Sequence, residues 1–134
     1  MLFVKTKPGL SSIHGIGCFA DEFIKKGTLV RKFVEGFDLE IPKEKVDLLP
    51  DAPRERILNY AYFDKETNLY TLNPDDERFV NHSDNPNVGD DLSRESELGE
   101  MYALRDIQKG EEITENYNEF DDDIFKKLTQ EKNN

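Results

Sequence analysis

The densest set of hydrogen-bonding side chains in this sequence lies at residues 81–87, in the run NHSDNPN. Three Asn, one Ser and one His supply amide, hydroxyl and imidazole groups in a segment that is too polar for a core. Such a loop either satisfies its own backbone groups or holds a ligand. His82 is accordingly either an imidazole fixed by neighbouring backbone groups or a catalytic group, and catalysis would need a base or nucleophile beside it.

A second candidate is the tripeptide Gly15-Ile16-Gly17. Glycine permits positive φ and lets backbone N–H and C=O groups approach a ligand closely, because no Cβ intervenes. The same pattern is typical of a tight β turn. It is not a dinucleotide-binding fingerprint, because the third glycine and the following helix are missing.

The third candidate, GEEITENY at residues 110–117, predicts a turn and a short strand that ends at Tyr117. A tyrosine in that place usually packs half-buried, with its hydroxyl at the rim of the core.

The two histidines, His14 and His82, show no ligand spacing, and Cys18 is the only cysteine. We therefore expect no metal site and no intrachain disulfide, and we expect Cys18 to pack as a small apolar residue.

Short strands joined by glycine and proline turns must position these groups. Strands are predicted at residues 2–5, 18–20, 28–34, 100–107 and 112–117, with a hairpin around the turn at 64–68. Residues 38–59 form an insert with short helical pieces, because three prolines interrupt it, and Pro53 suits the first turn of a helix. The run at residues 77–91 is predicted to be an irregular, structured loop.

Length and charge limit the classes of function. The 134 residues make one domain. The net charge of −11 disfavours nonspecific binding to nucleic-acid phosphate and favours a basic partner. No window approaches the roughly 18 apolar residues of a membrane span, and the first ten residues lack the apolar core of a secretory signal. We expect a soluble, intracellular protein that binds neither nucleic acid nor membrane.

Together and in this order, the three segments resemble the SET-domain protein lysine methyltransferases, over nearly the whole chain. HGIGCFADEFIKKGTLV resembles the family's Gly-x-Gly motif with its following strand and Gly-Thr turn, and RFVNHSDNPN resembles its Asn-His-Ser-x-x-Pro-Asn motif. GEEITENY resembles its Gly-Glu-Glu-Leu-Thr-x-Asp-Tyr motif. The resemblance implies a mainly β fold of small curved sheets with short helices, and a C-terminal pseudoknot that brings the last two motifs together. The SET domain would span residues 1–120, and the tail at 121–134, with a helix as one option, would close the site.

The resemblance further implies a protein-lysine N-methyltransferase whose cofactor is S-adenosylmethionine and whose substrate is a Lys-rich protein or peptide such as a histone tail. Tyr117 would be the catalytic residue and would orient the substrate amine rather than remove its proton. The cofactor-binding residues would be His14, Gly15, Ile16, Gly17, Phe79, Asn81, His82, Tyr117 and Phe120. The substrate channel would include Tyr60, Tyr62 and Glu115, with Phe33 or Val34 where the family often has a tyrosine.

Departures from the family pattern leave alternatives open. The cysteine-rich zinc clusters of chromatin-directed members are missing, so Phe120 or Phe125 of the tail is the candidate to complete the channel. The position two before Tyr117, often aromatic or aliphatic, is Glu115, and Asn116 replaces the usual Asp. Glu115 either faces the channel or points outward as a solvated charge, and the outward orientation is slightly favoured.

Two other classes of function therefore stay in view. The first is a non-catalytic SET-like module that binds S-adenosylmethionine or a basic peptide without transferring a methyl group. The second is an interaction protein whose charge docks basic partners. A homodimer would be compatible with any of these functions.

Overall fold

The computed structural model describes residues 1–95 and 99–119, and these form ten short strands and two α-helices. The strands are β1 (Thr6–Leu10), β2 (Ile16–Ala20), β3 (Leu29–Arg31), β4 (Leu39–Pro42), β5 (Tyr62–Asp64), β6 (Leu69–Leu72), β7 (Asn81–His82), β8 (Val88–Gly89), β9 (Met101–Ala103) and β10 (Glu112–Glu115). The helices are α1 (Lys43–Asp47) and α2 (Asp51–Tyr60), with 3₁₀ turns at Asp76–Phe79 and Tyr117–Glu119. This mainly β architecture confirms the expected fold class.

The sheet that carries the three sequence motifs has the strand order β1-β2-β10-β7. Strand β10 is antiparallel to β2 and parallel to β7, where Thr114 lies opposite Asn81 and Glu115 lies opposite His82. The two distal motifs, about 30 residues apart in sequence, are thus adjacent strands. The Gly15–Gly17 segment lies at the start of β2, the strand that pairs with β10 on its other side.

Strand β4 of the insert pairs with the hairpin that follows it in a separate small sheet, β4-β6-β5, and α1 and α2 pack against this unit. Val46, Ala61 and Tyr70 are its buried apolar centre. The hairpin predicted around residues 64–68 is confirmed as β5 and β6, and Pro53 lies in the first turn of α2 as predicted. In the described part of the chain, no helix is long and apolar enough to cross a lipid bilayer.

The main core lies between the motif sheet and the third sheet, β3-β9-β8. Its buried residues are Cys18, Ala20, Ile24, Val30, Val80, Val88, Met101, Ala103, Ile107 and Ile113. Cys18 is fully buried, which confirms the prediction that it packs as an apolar residue. Burial raises the pKa of its thiol to about 12.

Several predicted strand boundaries were wrong. The first strand begins at Thr6 rather than near Leu2 and includes the Pro8-Gly9 pair, because β1 is an edge strand that tolerates a residue without an N–H. Strand β3 ends at Arg31 and β9 at Ala103, and the register shifts where these two strands pair. The run at residues 77–91 contains two two-residue strands, because their partners are distant in sequence and invisible to local patterns.

Candidate functional site

The Gly15–Gly17 segment follows a turn that Ser11 organises. The Ser11 amide donates to the Gly15 carbonyl at 2.9 Å, and the Ser11 hydroxyl accepts from the amides of Ile13 and His14 at 2.9 and 3.2 Å. Gly15 has a φ of +48°, and a Cβ added there would meet no atom within 4 Å. The backbone is therefore held on one side and open on the other.

Asn81 and Glu112 join this turn to the two distal motifs. The Asn81 side-chain amide donates to Glu112 Oε1 at 2.8 Å and to the His14 carbonyl at 3.0 Å. The two oxygens of Glu112 accept from the Ser11 hydroxyl at 2.7 and 2.9 Å. A Cβ at Gly17 would collide with Glu112 Oε1, so a larger residue there would displace the Glu112 carboxylate from Ser11 and Asn81. The three motifs thus form one hydrogen-bonded unit.

The last asparagine of the NHSDNPN run braces strand β10. The buried Asn87 donates through Nδ2 to the Glu112 carbonyl at 2.8 Å and accepts from the Thr114 amide through Oδ1 at 2.9 Å. Its own amide donates to the Thr114 hydroxyl at 3.3 Å. This part of the loop therefore satisfies neighbouring protein groups.

His82 is fixed between a backbone amide and a carboxylate. The Tyr117 amide donates to His82 Nδ1 at 3.1 Å, and His82 Nε2 lies 3.0 Å from Asp84 Oδ1. Because Nδ1 accepts a hydrogen bond, the ring proton is on Nε2, which donates a hydrogen bond to Asp84 Oδ1. Of the two alternatives for His82, the geometry supports an imidazole held by its neighbours.

The half-buried Tyr117 is held at both ends by the middle motif. Its amide binds His82, and its hydroxyl donates to the Val80 carbonyl at 2.5 Å. The His82 and Tyr117 rings lie 5.3 Å apart between centroids. The position of the phenol oxygen is therefore set by Val80, the residue immediately before β7.

Glu115 points inward, so the slightly favoured outward orientation was wrong. Its side chain is 4 % exposed, and both its oxygens accept from Arg31, Nε to Oε1 at 2.8 Å and Nη2 to Oε2 at 3.1 Å. Arg31 Nε also lies 2.5 Å from Glu77 Oε1. The period of two along β10 puts Glu115 on the same face as the buried Ile113, and Arg31 compensates the buried charge.

This buried cluster of Arg31, Glu77 and Glu115 changes the acidity of its members. Burial alone lowers the pKa of Arg31, but the two carboxylates raise it above its ordinary value. Burial raises the pKa of Glu77 to about 7, although Arg31 opposes that rise, and Glu115 adds to it. Arg31 is thus a permanent cation, and Glu77 titrates near neutrality.

The two predicted channel tyrosines lie in different surroundings. The Arg31 guanidinium is 5.8 Å from the centre of the Tyr62 ring, so Tyr62 shares this cation with Glu115, and burial raises the pKa of its phenol. Tyr60 packs edge-on against Phe79 at 5.9 Å, and Arg78 lies 5.8 Å from the centre of the Tyr60 ring. The structure therefore brings Tyr62 to Glu115 and Tyr60 to Phe79.

Four further residues were predicted to line or complete the channel. Phe33 and Val34 follow β3, where Phe33 packs beside Gly99. Phe120 and Phe125 lie outside the described residues. Among the described residues, no group of three or more His, Cys, Asp or Glu could hold a metal ion.

Sequence reasoning missed four side chains that organise the site, namely Ser11, Arg31, Glu77 and Glu112. The alternation of β10 was an available signal, because it places Glu115 on the face of Ile113 and so requires a buried cation. No local pattern identifies Arg31 or Glu77 as its partners, because these lie 84 and 38 positions away in the chain.

Comparisons with known proteins agree with this architecture. A family model described as the SET domain matches residues 15–118. A solved Plasmodium falciparum protein assigned as a histone methyltransferase superposes with a TM-score of 0.56 at 26 % identity, covering 85 % of this chain and 93 % of that one. Polycomb Repressive Complex 2 of Chaetomium thermophilum, solved in an autoinhibited conformation bound to S-adenosylmethionine, gives a TM-score of 0.62 at 22 % identity.

That second match covers 95 % of this chain but 17 % of the Chaetomium chain, so this chain corresponds to a small part of it. No curated protein matches the chain significantly in sequence. The family model covers more than half of the chain and contains all of the distal motifs that meet on β7 and β10. The chain therefore belongs to the SET domain family and has the fold of its methyltransferases.

Proposed function

We propose that this protein is an S-adenosylmethionine-dependent protein-lysine N-methyltransferase. The observation that carries the proposal is the arrangement of Tyr117, whose amide and hydroxyl are both held by the segment that contains Asn81 and His82. The same segment is hydrogen-bonded to the Gly15–Gly17 loop. A candidate catalytic hydroxyl and a candidate cofactor loop are thus parts of one rigid unit, as differential stabilisation of a transition state requires.

The residues present fit the proposed cofactor. Gly15 faces open space, and the Asn81 amide is anchored, so backbone groups of the loop can approach the amino-acid part of the cofactor without steric conflict. The residues that would hold it are His14, Gly15, Ile16, Gly17, Phe79, Asn81, His82 and Tyr117. When bound, S-adenosylmethionine supplies a methyl group whose bond to the sulfonium sulfur breaks as a bond to a neutral lysine nitrogen forms, the lysine proton having gone to solvent.

Tyr117 would act by orientation. A lysine amine with a pKa near 10.4 is protonated at neutral pH, and entry into an apolar channel lowers that pKa. The Tyr117 hydroxyl donates a hydrogen bond to the Val80 carbonyl. Its oxygen therefore acts as a hydrogen-bond acceptor for an incoming N–H. An amine held in this way keeps its lone pair directed toward the methyl donor.

The net charge of −11 supports a Lys-rich protein as the substrate. Opposite charges attract such a partner over the roughly 8 to 10 Å of the Debye length at physiological ionic strength. The Plasmodium relative described as a histone methyltransferase makes core histones the first substrates to test.

The test is transfer of labelled methyl groups from S-adenosylmethionine to a panel of core histones and other Lys-rich proteins, with mass spectrometry of the products. We expect label on lysine side chains. A panel whose lysines have been acetylated beforehand is the matched control, because acetylation removes the nucleophile without changing the sequence.

Two results would contradict the proposal. Measurable cofactor binding with no transfer to any substrate would favour the non-catalytic module. The absence of saturable S-adenosylmethionine binding in calorimetry would instead favour an interaction protein.

A further inference from the structure

The cluster of Arg31, Glu77 and Glu115 lies outside the three family motifs except at Glu115. Its side chains are between 3 and 5 % exposed, and one guanidinium serves two carboxylates. A buried ion pair contributes little net stability on average, because desolvation of the charges offsets their attraction. The cluster therefore calls for an explanation in terms of geometry rather than stability.

Each carboxylate belongs to one of the two segments that hold Tyr117. Glu115 is two residues before Tyr117, and its carbonyl accepts from the Ser83 amide at 3.0 Å. Glu77 lies in the 3₁₀ turn that ends at Phe79, and its carbonyl accepts from the amide of Val80 at 3.0 Å. Val80 in turn supplies the carbonyl to which the Tyr117 hydroxyl donates.

The contact with Glu115 is directional. Two guanidinium nitrogens bind the two carboxylate oxygens, and this planar fork fixes the relative orientation of the two groups as a single point charge would not. The same guanidinium contacts Glu77 through Nε. Arg31 thus sets the spacing between the segment that carries Tyr117 and the segment that accepts its hydroxyl proton.

We propose that Arg31 is a positioning residue for Tyr117, acting through Glu115 on its backbone and through Glu77 on the Val80 carbonyl. Its effect on turnover rests on the proposed function, whereas its effect on the position of Tyr117 does not. A displacement of a reacting group by about 1 Å costs on the order of 100-fold in rate. Loss of the fork should therefore lower kcat by a larger factor than it weakens cofactor binding, because the Ser11, Asn81 and Glu112 contacts that organise the loop are retained.

The test uses Arg31→Lys, which keeps the charge and removes the fork, and Glu115→Gln, which keeps the side-chain length. The control is Arg54→Lys, since Arg54 pairs with Asp51 at the surface. The first measurement is amide hydrogen exchange. We expect exchange about tenfold faster at Ser83 and Tyr117 in both site variants, the equivalent of about 1.4 kcal/mol, and no change at Ile107.

The second measurement is the split between kcat, the KM for S-adenosylmethionine and the cofactor Kd, with the best substrate of the Lys-rich panel. A fall in kcat of about tenfold or more, larger than any rise in the cofactor Kd, supports the proposal. Wild-type kcat and exchange in Arg31→Lys would overturn it. A uniform rise in exchange across Ser83, Tyr117 and Ile107 would also overturn it, because it would show a general loss of stability.

A third variant separates orientation from charge compensation. The combined substitution Arg31→Met, Glu77→Gln and Glu115→Gln removes every buried charge of the cluster and is expected to recover stability relative to Arg31→Met alone. Recovery of kcat together with stability would overturn a positioning role, and low kcat at recovered stability supports it. If the wild type transfers no methyl group, the amide exchange at Ser83 and Tyr117 decides the positional claim alone.

Discussion

The side-chain amide of Asn81 donates to Glu112 Oε1 across 2.8 Å, and this contact is one of those that join the middle and the last sequence motifs. Glu112 also holds the Ser11 hydroxyl, and Asn81 also holds the carbonyl of His14, so the loop at Gly15–Gly17 is fixed from two strands. The geometry of the proposed cofactor site is therefore a property of distant segments acting together. A change at one of them should be measurable at the loop.

Replacing Glu112 by Ala should weaken binding of S-adenosylmethionine about tenfold or more, because Asn81 and Ser11 lose the side-chain oxygens that accept their hydrogen bonds. Calorimetric titration measures the effect. Glu111→Ala is the matched control, since the Glu111 carboxylate accepts from the Gln108 amide in the neighbouring turn. Equal affinities in the two variants would show that Glu112 does not organise the loop.

Gly15→Ala should impair cofactor binding more than Gly36→Ala does, although both changes should lower the free energy of unfolding by similar amounts. Both glycines have positive φ, +48° and +85°, and a Cβ at either meets no atom within 4 Å. Each substitution should therefore lower the unfolding free energy by about 1 kcal/mol through backbone strain. Thermal unfolding and cofactor titration of both variants check this, and similar cofactor affinities would argue against a role for the loop.

The stability of the protein should fall as pH rises from about 4.5 to about 7 through the contribution of Glu77. Its pKa is raised by burial from 4.5 to about 7, against the attraction of Arg31 and the Met1 amino group and with repulsion from Glu115. In that window the unfolded state has released a proton that the folded state still holds, so folding becomes less favourable as pH increases.

Urea unfolding of the wild type and Glu77→Gln across this pH range tests the sign. The wild type should lose stability relative to the variant as pH rises, because Gln does not titrate. Parallel stability profiles for the two proteins would show that Glu77 ionises in the folded state as it does in the unfolded chain.

Cys18 should resist alkylation by iodoacetamide at neutral pH while the protein is folded. Its pKa of about 12 leaves very little thiolate, and the side chain is fully buried. Mass spectrometry of native and guanidinium-unfolded samples gives the comparison, and labelling is expected in the unfolded sample alone. Rapid labelling of the native protein would contradict the burial of β2 in the core.

The sequence was sufficient for the fold class, through the resemblance of three motifs to the SET family, and for several local elements that short-range patterns encode. Turn glycines, the hairpin at β5 and β6, and the polar run at residues 81–87 are local features. Strand limits were less predictable, because β7 and β8 have two residues each and exist only through pairing with β10 and β9. Such pairing depends on tertiary contacts that no local window contains.

Within the site, the alternation of β10 could have indicated the direction of Glu115, but no local pattern identifies the cation that makes this direction favourable. A carboxylate at the end of a strand is usually solvated, and only a buried cation makes the inward orientation favourable. Arg31 supplies that cation from 84 positions away in the sequence. The roles of Ser11 and Glu112 were missed for the same reason, since their contact joins residues 101 positions apart.

The most direct test of the central claim is the single-turnover rate of methyl transfer from S-adenosylmethionine to a histone lysine in Tyr117→Phe, measured beside Tyr102→Phe. The control removes the hydroxyl of Tyr102, which lies on β9 and donates to Glu100 Oε2 at 2.6 Å. We predict a fall on the order of 100-fold for Tyr117→Phe with cofactor affinity largely intact, and a near wild-type rate for the control. Equal rates in the two variants would contradict the assignment of Tyr117 as the catalytic residue.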